Sequence, residues 1–182
     1  MLYQIIAFLL DVVIGLLGGA CLLRLYMQYQ RVSFANPVGR VVFALSDWLV
    51  LPLRRVIPAV GRVDLASLVA VYLLELAQFG LLWLLAGTTL GLALLPVLAL
   101  FGTVRLAISA MTGLLIVYAI LSWVQAGSSL YDVIDRLCAP LLRPLRRVIP
   151  LVGGMDLTPL VLLVLLQVAA IILGHLQASV LR

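Results

Sequence analysis

Asp11, Glu75 and Gln167 stand inside long runs of Leu, Val, Ile, Ala and Gly. A polar or ionisable side chain in such surroundings is costly to bury, so it marks a proton relay, a cation site or a hydrogen bond between helices. Glu75 and Gln167 are separated by 92 residues. Together with Asp11 they form a candidate intramembrane polar site. Two readings are open: a proton or cation site, or interhelical hydrogen bonding with Glu75 protonated, which is the simpler. Asp11 lies one turn before Gly15, which with Gly19 makes a Gly-x-x-x-Gly face that another helix can approach closely.

A second set of residues carries charge. All twelve basic residues are arginine, and the net charge is +5. Arg54-Arg55 and Arg146-Arg147, with Arg143 beside the second pair, present planar guanidinium forks suited to phosphate or carboxylate. They can anchor the chain to anionic lipid headgroups or dock an acidic partner protein. Asp64 and Asp156 each precede a long apolar run, where an aspartate caps free amides and meets the positive end of the helix dipole, worth about 0.5 to 2 kcal/mol.

Other chemistry finds little support. Cys21 and Cys138 fall in a membrane helix and a cytoplasmic loop, neither of which favours a disulfide. The single histidine, His175, lies near the outer end of a helix and reads as an interfacial polar residue rather than a haem or metal ligand. No Ser-His-Asp or Cys-His set, no phosphate-cradling glycine loop and no acid-base pair of carboxylates emerges, so neither an enzyme nor a bound cofactor is expected. The arginines are interleaved with aliphatic residues and lack an aromatic stacking platform, which argues against nucleic acid as a partner.

The elements that must position these residues follow from composition. A chain of 182 residues that is 65% hydrophobic and 10% charged cannot bury its apolar side chains in a soluble core of this size. A hydrocarbon layer about 30 Å thick takes roughly 20 helical residues. Four stretches qualify, near Ile5 to Leu25, Leu65 to Leu85, Val104 to Val124 and Leu157 to Val180. The first lacks a basic flank and contains Asp11, so it reads as a retained helix and not a signal peptide. The uncharged stretch over residues 86–103 can be a connection, a re-entrant turn or an extension of a neighbouring helix broken at Pro96. Ten arginines lie between helices one and two or between helices three and four. The positive-inside rule makes those loops cytoplasmic and both termini external.

Those loops also repeat. PLRRVIP occupies residues 52–58 and again 144–150, and extending the overlay through 69 and 161 gives thirteen identities in eighteen positions. The chain is therefore a duplication, residues 1–90 and 91–182, whose unit is helix, loop, helix. Two crossings per unit return the chain to its starting side, so the copies are parallel. In the second loop Asp132, Asp135, Arg136, Arg143, Arg146 and Arg147 recur at helical spacing opposite an apolar face. In the first, Arg40, Asp47 and Arg54 do so opposite Val41, Val42, Leu45, Trp48, Leu49 and Leu53. Each loop thus predicts an interfacial amphipathic helix, bent in the second copy near residues 138–144 by Pro140 and Pro144. Pro58 and Pro150 end these segments, and Gly61 and Gly153 turn the chain back.

These residues resemble the YggT family of small bacterial inner-membrane proteins, whose repeat carries a P-x-R-R-x-x-P…G-x-D-(L/F)-(S/T)-P signature. Pro144 to Pro159 follows it throughout, whereas the first copy has Ala66-Ser67 in place of Thr158-Pro159. The upstream NPVGRVVFALSDWLVLP is similar too, with Trp48 where proline is common. The resemblance implies a multi-pass inner-membrane protein from a family linked to osmotic tolerance and cation uptake, to division or envelope organisation, and in plastid relatives to haem attachment on cytochrome b.

The expected molecule is an all-α membrane protein with four transmembrane helices as two parallel helix-loop-helix repeats. Its expected role is a non-enzymatic organising factor in the bacterial inner membrane. Its partners would be anionic headgroups, a membrane protein and a second copy of itself. The alternative is ion or solute transport linked to osmotic tolerance.

Overall fold

The computed structural model describes residues 1–59, 61–86, 92–124, 128–149 and 156–180, and all regular structure among them is helical. In chain order the helices are α1 (Leu2–Tyr29), α2 (Pro37–Val56), α3 (Leu65–Ala86), α4 (Leu95–Val124), α5 (Ser129–Arg146) and α6 (Thr158–Val180). A 3-10 turn over Leu92–Leu94 leads into α4. Four of the helices, α1, α3, α4 and α6, are long and apolar enough to cross a membrane. This is the fold expected of an all-α membrane protein built as two helix-loop-helix units.

The spans are longer than the apolar runs suggest. α1 holds 28 residues, about 42 Å at 1.5 Å each, and so carries Arg24 inside the helix and not in the following loop. From Leu95 onward the ambiguous central stretch is an extension of α4, and Pro96 falls in its first turn, where a missing amide donor is harmless. Residues 87–91 lie outside the described residues.

α2 and α5 start on side-chain caps at matching places in the two repeats. Asn36 Oδ1 accepts from Gly39 N at 2.8 Å and Ser128 Oγ from Tyr131 N at 3.1 Å, each satisfying an amide that the first turn leaves free. Their buried rows also correspond, with Val42, Ser46 and Val50 in α2 answering Ile134, Cys138 and Leu142 in α5. Through the region of the expected bend α5 continues as one helix, with Pro140 and Pro144 inside it. The two prolines are four residues apart and share an exposed face with Arg136, where water can replace the lost backbone donors.

The second difference concerns the polar stripe of α2. Its Asp47 and Arg54 bond to groups inside the protein, and Val42, expected against lipid, is buried. Val41 and Trp48 of the same expected apolar face are exposed, and Leu51 is exposed with them. α2 ends at Val56, Ile57 N still reaches Leu53 O at 2.8 Å, and Gly61 adopts a φ of +62°, a left-handed conformation that favours glycine. The equivalent Pro150 and Gly153 lie outside the described residues.

The two repeats pack unequally. α3 lies against α1, α2 and α4, whereas α6 packs on α4 and α5 with only 6% of its apolar window buried. One core gathers Met27, Val42, Leu115, Leu137 and Leu142 where α1, α2, α4 and α5 meet, and a second gathers Cys21, Val50, Ala66 and Val71 between α1, α2 and α3.

Candidate functional site

The repeated motif closes on itself in both copies. Arg54 Nη2 donates to Asp64 Oδ2, and its Nε lies 3.3 Å from Asp64 Oδ1. The same guanidinium donates to Gln28 Oε1 of α1 at 2.8 Å. In the second copy Arg146 Nε donates to Asp156 Oδ2 at 2.8 Å and Nη2 to Tyr118 Oη of α4 at 2.9 Å. The first arginine of each pair therefore ties the end of the loop helix to the start of the next span and to the span before it. An Arg followed ten residues later by Asp occurs in both copies, and that coincidence was the sequence signal for this link.

Each aspartate also meets its own helix. Asp64 Oδ2 accepts from Ser67 Oγ at 2.7 Å and Oδ1 lies 3.4 Å from Ser67 N, while Asp156 Oδ1 accepts from Thr158 N at 3.0 Å. Burial would push Asp64 up, but hydrogen bonds from Arg54 and Ser67 outweigh it and hold the carboxyl below its ordinary 3.8. Asp156 is likewise held low, with burial opposed by Thr158 and then Arg146. Burial opposes the charge on Arg146, yet its bonds to Asp156 and Tyr118 raise its pKa.

Arg24 is the residue that sequence reasoning placed on the wrong surface. Counted there among the loop arginines, it is 2% exposed, with Nη1 2.9 Å from Ser46 Oγ and 2.5 Å from Asp47 Oδ1. Its Nε lies 3.9 Å from Asp64 Oδ2, and its guanidinium sits 4.8 Å from the Phe43 ring centroid. The position 92 residues on is Ile116, so this buried cation belongs to the first repeat alone. Cys21 and Cys138 are free and buried in different cores, and burial pushes the Cys138 thiol up to about 12.

Other arginines face outward. Arg55 and Arg147, the second members of the pairs, are exposed and form no ion pair among the described residues. Arg143 joins Arg31 and Arg136 around a cleft of about 300 Å³, which Asp135 also lines. This cleft lies between the end of α1 and α5, and so between the repeats.

The intramembrane polar residues are only partly brought together. Gln78 Nε2 of α3 donates to Asp11 Oδ1 of α1 at 2.8 Å, and Arg105 Nη2 of α4 lies 3.7 Å from the same oxygen. Glu75, 3% exposed, lines a cavity of about 310 Å³ with these three residues and Ser109. Gln78 and Arg105 are additions to the sequence-based set. Gln167 drops out of it, because it is exposed on α6, which does not pack with α3. His175 is exposed on the same helix, and its Nδ1 lies 2.9 Å from Ile171 O. Gly15 and Gly19 open on an apolar groove of about 710 Å³ between α1 and α4.

The CCB3/YggT family model matches the chain twice, over residues 3–85 and 97–177. YggT of Escherichia coli (strain K12) is 38% identical over 164 residues, covering 90% of this chain and 86% of that protein. A protein from the proC 3′ region of Vibrio alginolyticus is 35% identical over 173 residues, covering 93% and 94%. A Pseudomonas aeruginosa relative is 34% identical over 145 residues, covering 76% and 73%. No solved structure matches.

Proposed function

The chain belongs to the CCB3/YggT family, and from that premise we propose that it is a non-enzymatic organising factor of the bacterial inner membrane, acting through arginines presented by α2 and α5. The observation that supports this reading is the division of labour within each repeated pair. Arg54 and Arg146 are consumed by Asp64 and Asp156, while Arg55 and Arg147 stay exposed without an ion pair among the described residues. A structural link needs one arginine, so the second is available to phosphate or carboxylate outside the chain. The Arg31, Arg136 and Arg143 cleft adds three more guanidinium groups near the same ends of the spans.

In this reading α2 and α5 lie in the cytoplasmic interface, both termini are external, and the arginines hold anionic headgroups while an acidic membrane protein docks beside them. The exposed Trp48 of α2 suits a headgroup-level position. Co-purification from native membranes in mild detergent tests the proposal, comparing the unaltered protein with an R55E/R147E variant. A stoichiometric partner lost in a correctly inserted variant supports it, and an identical set of companions overturns it.

The second reading is passage of an ion or solute, linked to osmotic tolerance. What favours it is the polar cavity lined by Asp11, Glu75 and Arg105 within the spans. Flux into vesicles that is unchanged by E75Q would count against it.

A further inference from the structure

We infer that the cavity between α1, α3 and α4 is a reversible proton-binding site, with the Glu75 carboxylate as the group that takes up and releases the proton. This proposal is independent of the arginine surface.

Two observations carry it. Glu75 is 3% exposed, and its Oε2 is buried without a hydrogen-bond partner among the described residues. An ionised oxygen in that position has nothing to offset its desolvation, whereas a proton on the carboxyl removes the charge. The surroundings are also built to hold this carboxyl. A Cβ on Gly102 would clash with Oε2, so α4 has glycine where the Glu75 head sits.

The charged neighbours select a proton over a metal cation. From α1 the cavity receives Asp11, from α4 Arg105, and from α3 itself Gln78. Arg105 and Gln78 both engage Asp11, which is thereby provided with its own cation and donor. A metal ion entering beside Arg105 would meet a fixed positive charge and only one uncommitted carboxylate. Binding H+ changes the cavity charge by +1, as a monovalent metal ion would, but the proton is held by one covalent O–H bond on Glu75, whereas a metal ion needs several oxygen ligands. The side chains of Asp11 and Arg105 are 62% and 53% exposed, so the cavity opens on the surface of the helix bundle.

The duplication supplies the matching variant. Gln167 stands at the equivalent position of the second repeat, and Glu75→Gln is near-isosteric with Glu75 while removing the titratable group.

The test uses the full chain in lipid vesicles with dicyclohexylcarbodiimide, an apolar reagent that modifies protonated carboxyls, followed by peptide mass spectrometry over about pH 5 to 9. Modification is expected at Glu75, with a rate that falls about tenfold per pH unit above its titration point. Proton uptake over the same range, measured on unmodified protein, is expected to fall by one per chain in E75Q. Gly102→Ala, which displaces the Glu75 head, is expected to move the pH of half-maximal modification. The proposal is overturned if E75Q takes up as many protons as the unaltered protein, if labelling does not vary with pH, or if sodium ions protect Glu75 at constant pH.

Discussion

Arg146 Nε lies 2.8 Å from Asp156 Oδ2, and the same ten-residue reach joins Arg54 to Asp64 in the other repeat. One chemical link is thus used twice, but in unlike surroundings. The side chain of Asp64 is 0% exposed and also faces the buried Arg24, whereas Asp156 and Arg146 are 30% and 39% exposed.

That contrast sets the first prediction. Asp64→Ala leaves Arg24 with Asp47 as its remaining carboxylate and Arg54 without its buried ion-pair partner, and is expected to cost about 3 to 5 kcal/mol. Asp156→Ala breaks a solvent-screened pair and removes the cap on Thr158 N, and is expected to cost about 1 to 2 kcal/mol. Thermal unfolding of the two variants in detergent, monitored by retention on a sizing column, measures the difference. Equal losses would show that the two links are equivalent.

Acid is expected to weaken the fold through the same carboxyls. Both aspartates are held below the ordinary 3.8, so the unfolded chain binds protons first as pH falls. Their stabilising contribution is complete above about pH 5, begins to fade near the unfolded value, and is gone once pH drops through the folded one. Asp64→Asn and Asp156→Asn are expected to flatten that part of the stability profile, as unfolding midpoints taken from about pH 6 to pH 3 would record.

Glycine replacements separate a packed helix contact from an open one. Gly102→Ala drives a methyl group against the Glu75 carboxyl and Phe79, and is expected to destabilise by about 1 to 3 kcal/mol. At Gly15 and Gly19 nothing lies within 4 Å of an added Cβ, so alanine there is expected to be neutral or slightly stabilising in the isolated chain. If Gly15→Ala or Gly19→Ala instead disrupts a complex seen with the unaltered protein, the groove beside α1 is occupied by another helix.

Within each arginine pair, the two members are expected to respond differently to charge reversal. R54E places a carboxylate beside Asp64 and is expected to reduce the yield of folded protein, while R55E leaves folding intact and alters only what the surface binds. Comparing recovery from membranes with partner capture for each variant distinguishes the two roles.

Much of this architecture was written in one dimension. An apolar run reports its burial or lipid contact whatever it packs against, so four spans could be read from length and hydropathy alone. Duplication is equally local, and it carried over to the caps, with Asn36 and Ser128 opening α2 and α5 at matching positions. The helix continues through Pro140 and Pro144 because prolines spaced by four share one face, and exposure of that face, which only packing decides, lets water reach the carbonyls left without a donor.

What only the tertiary structure decided is how equal positions become unequal. Glu75 and Gln167 hold the same place in their repeats, yet α3 lies against both α1 and α4, and α6 rests on α4 and α5. One polar side chain is therefore buried in a cavity with Asp11 and Arg105, and the other faces outward. Arg24 followed the same rule, since a charge near a helix end reads as a surface residue until Asp47, Ser46 and Phe43 are folded around it. Sequence periodicity specifies what each helix offers, but the choice of neighbour is a long-range property, and burial, pairing and protonation all depend on that neighbour.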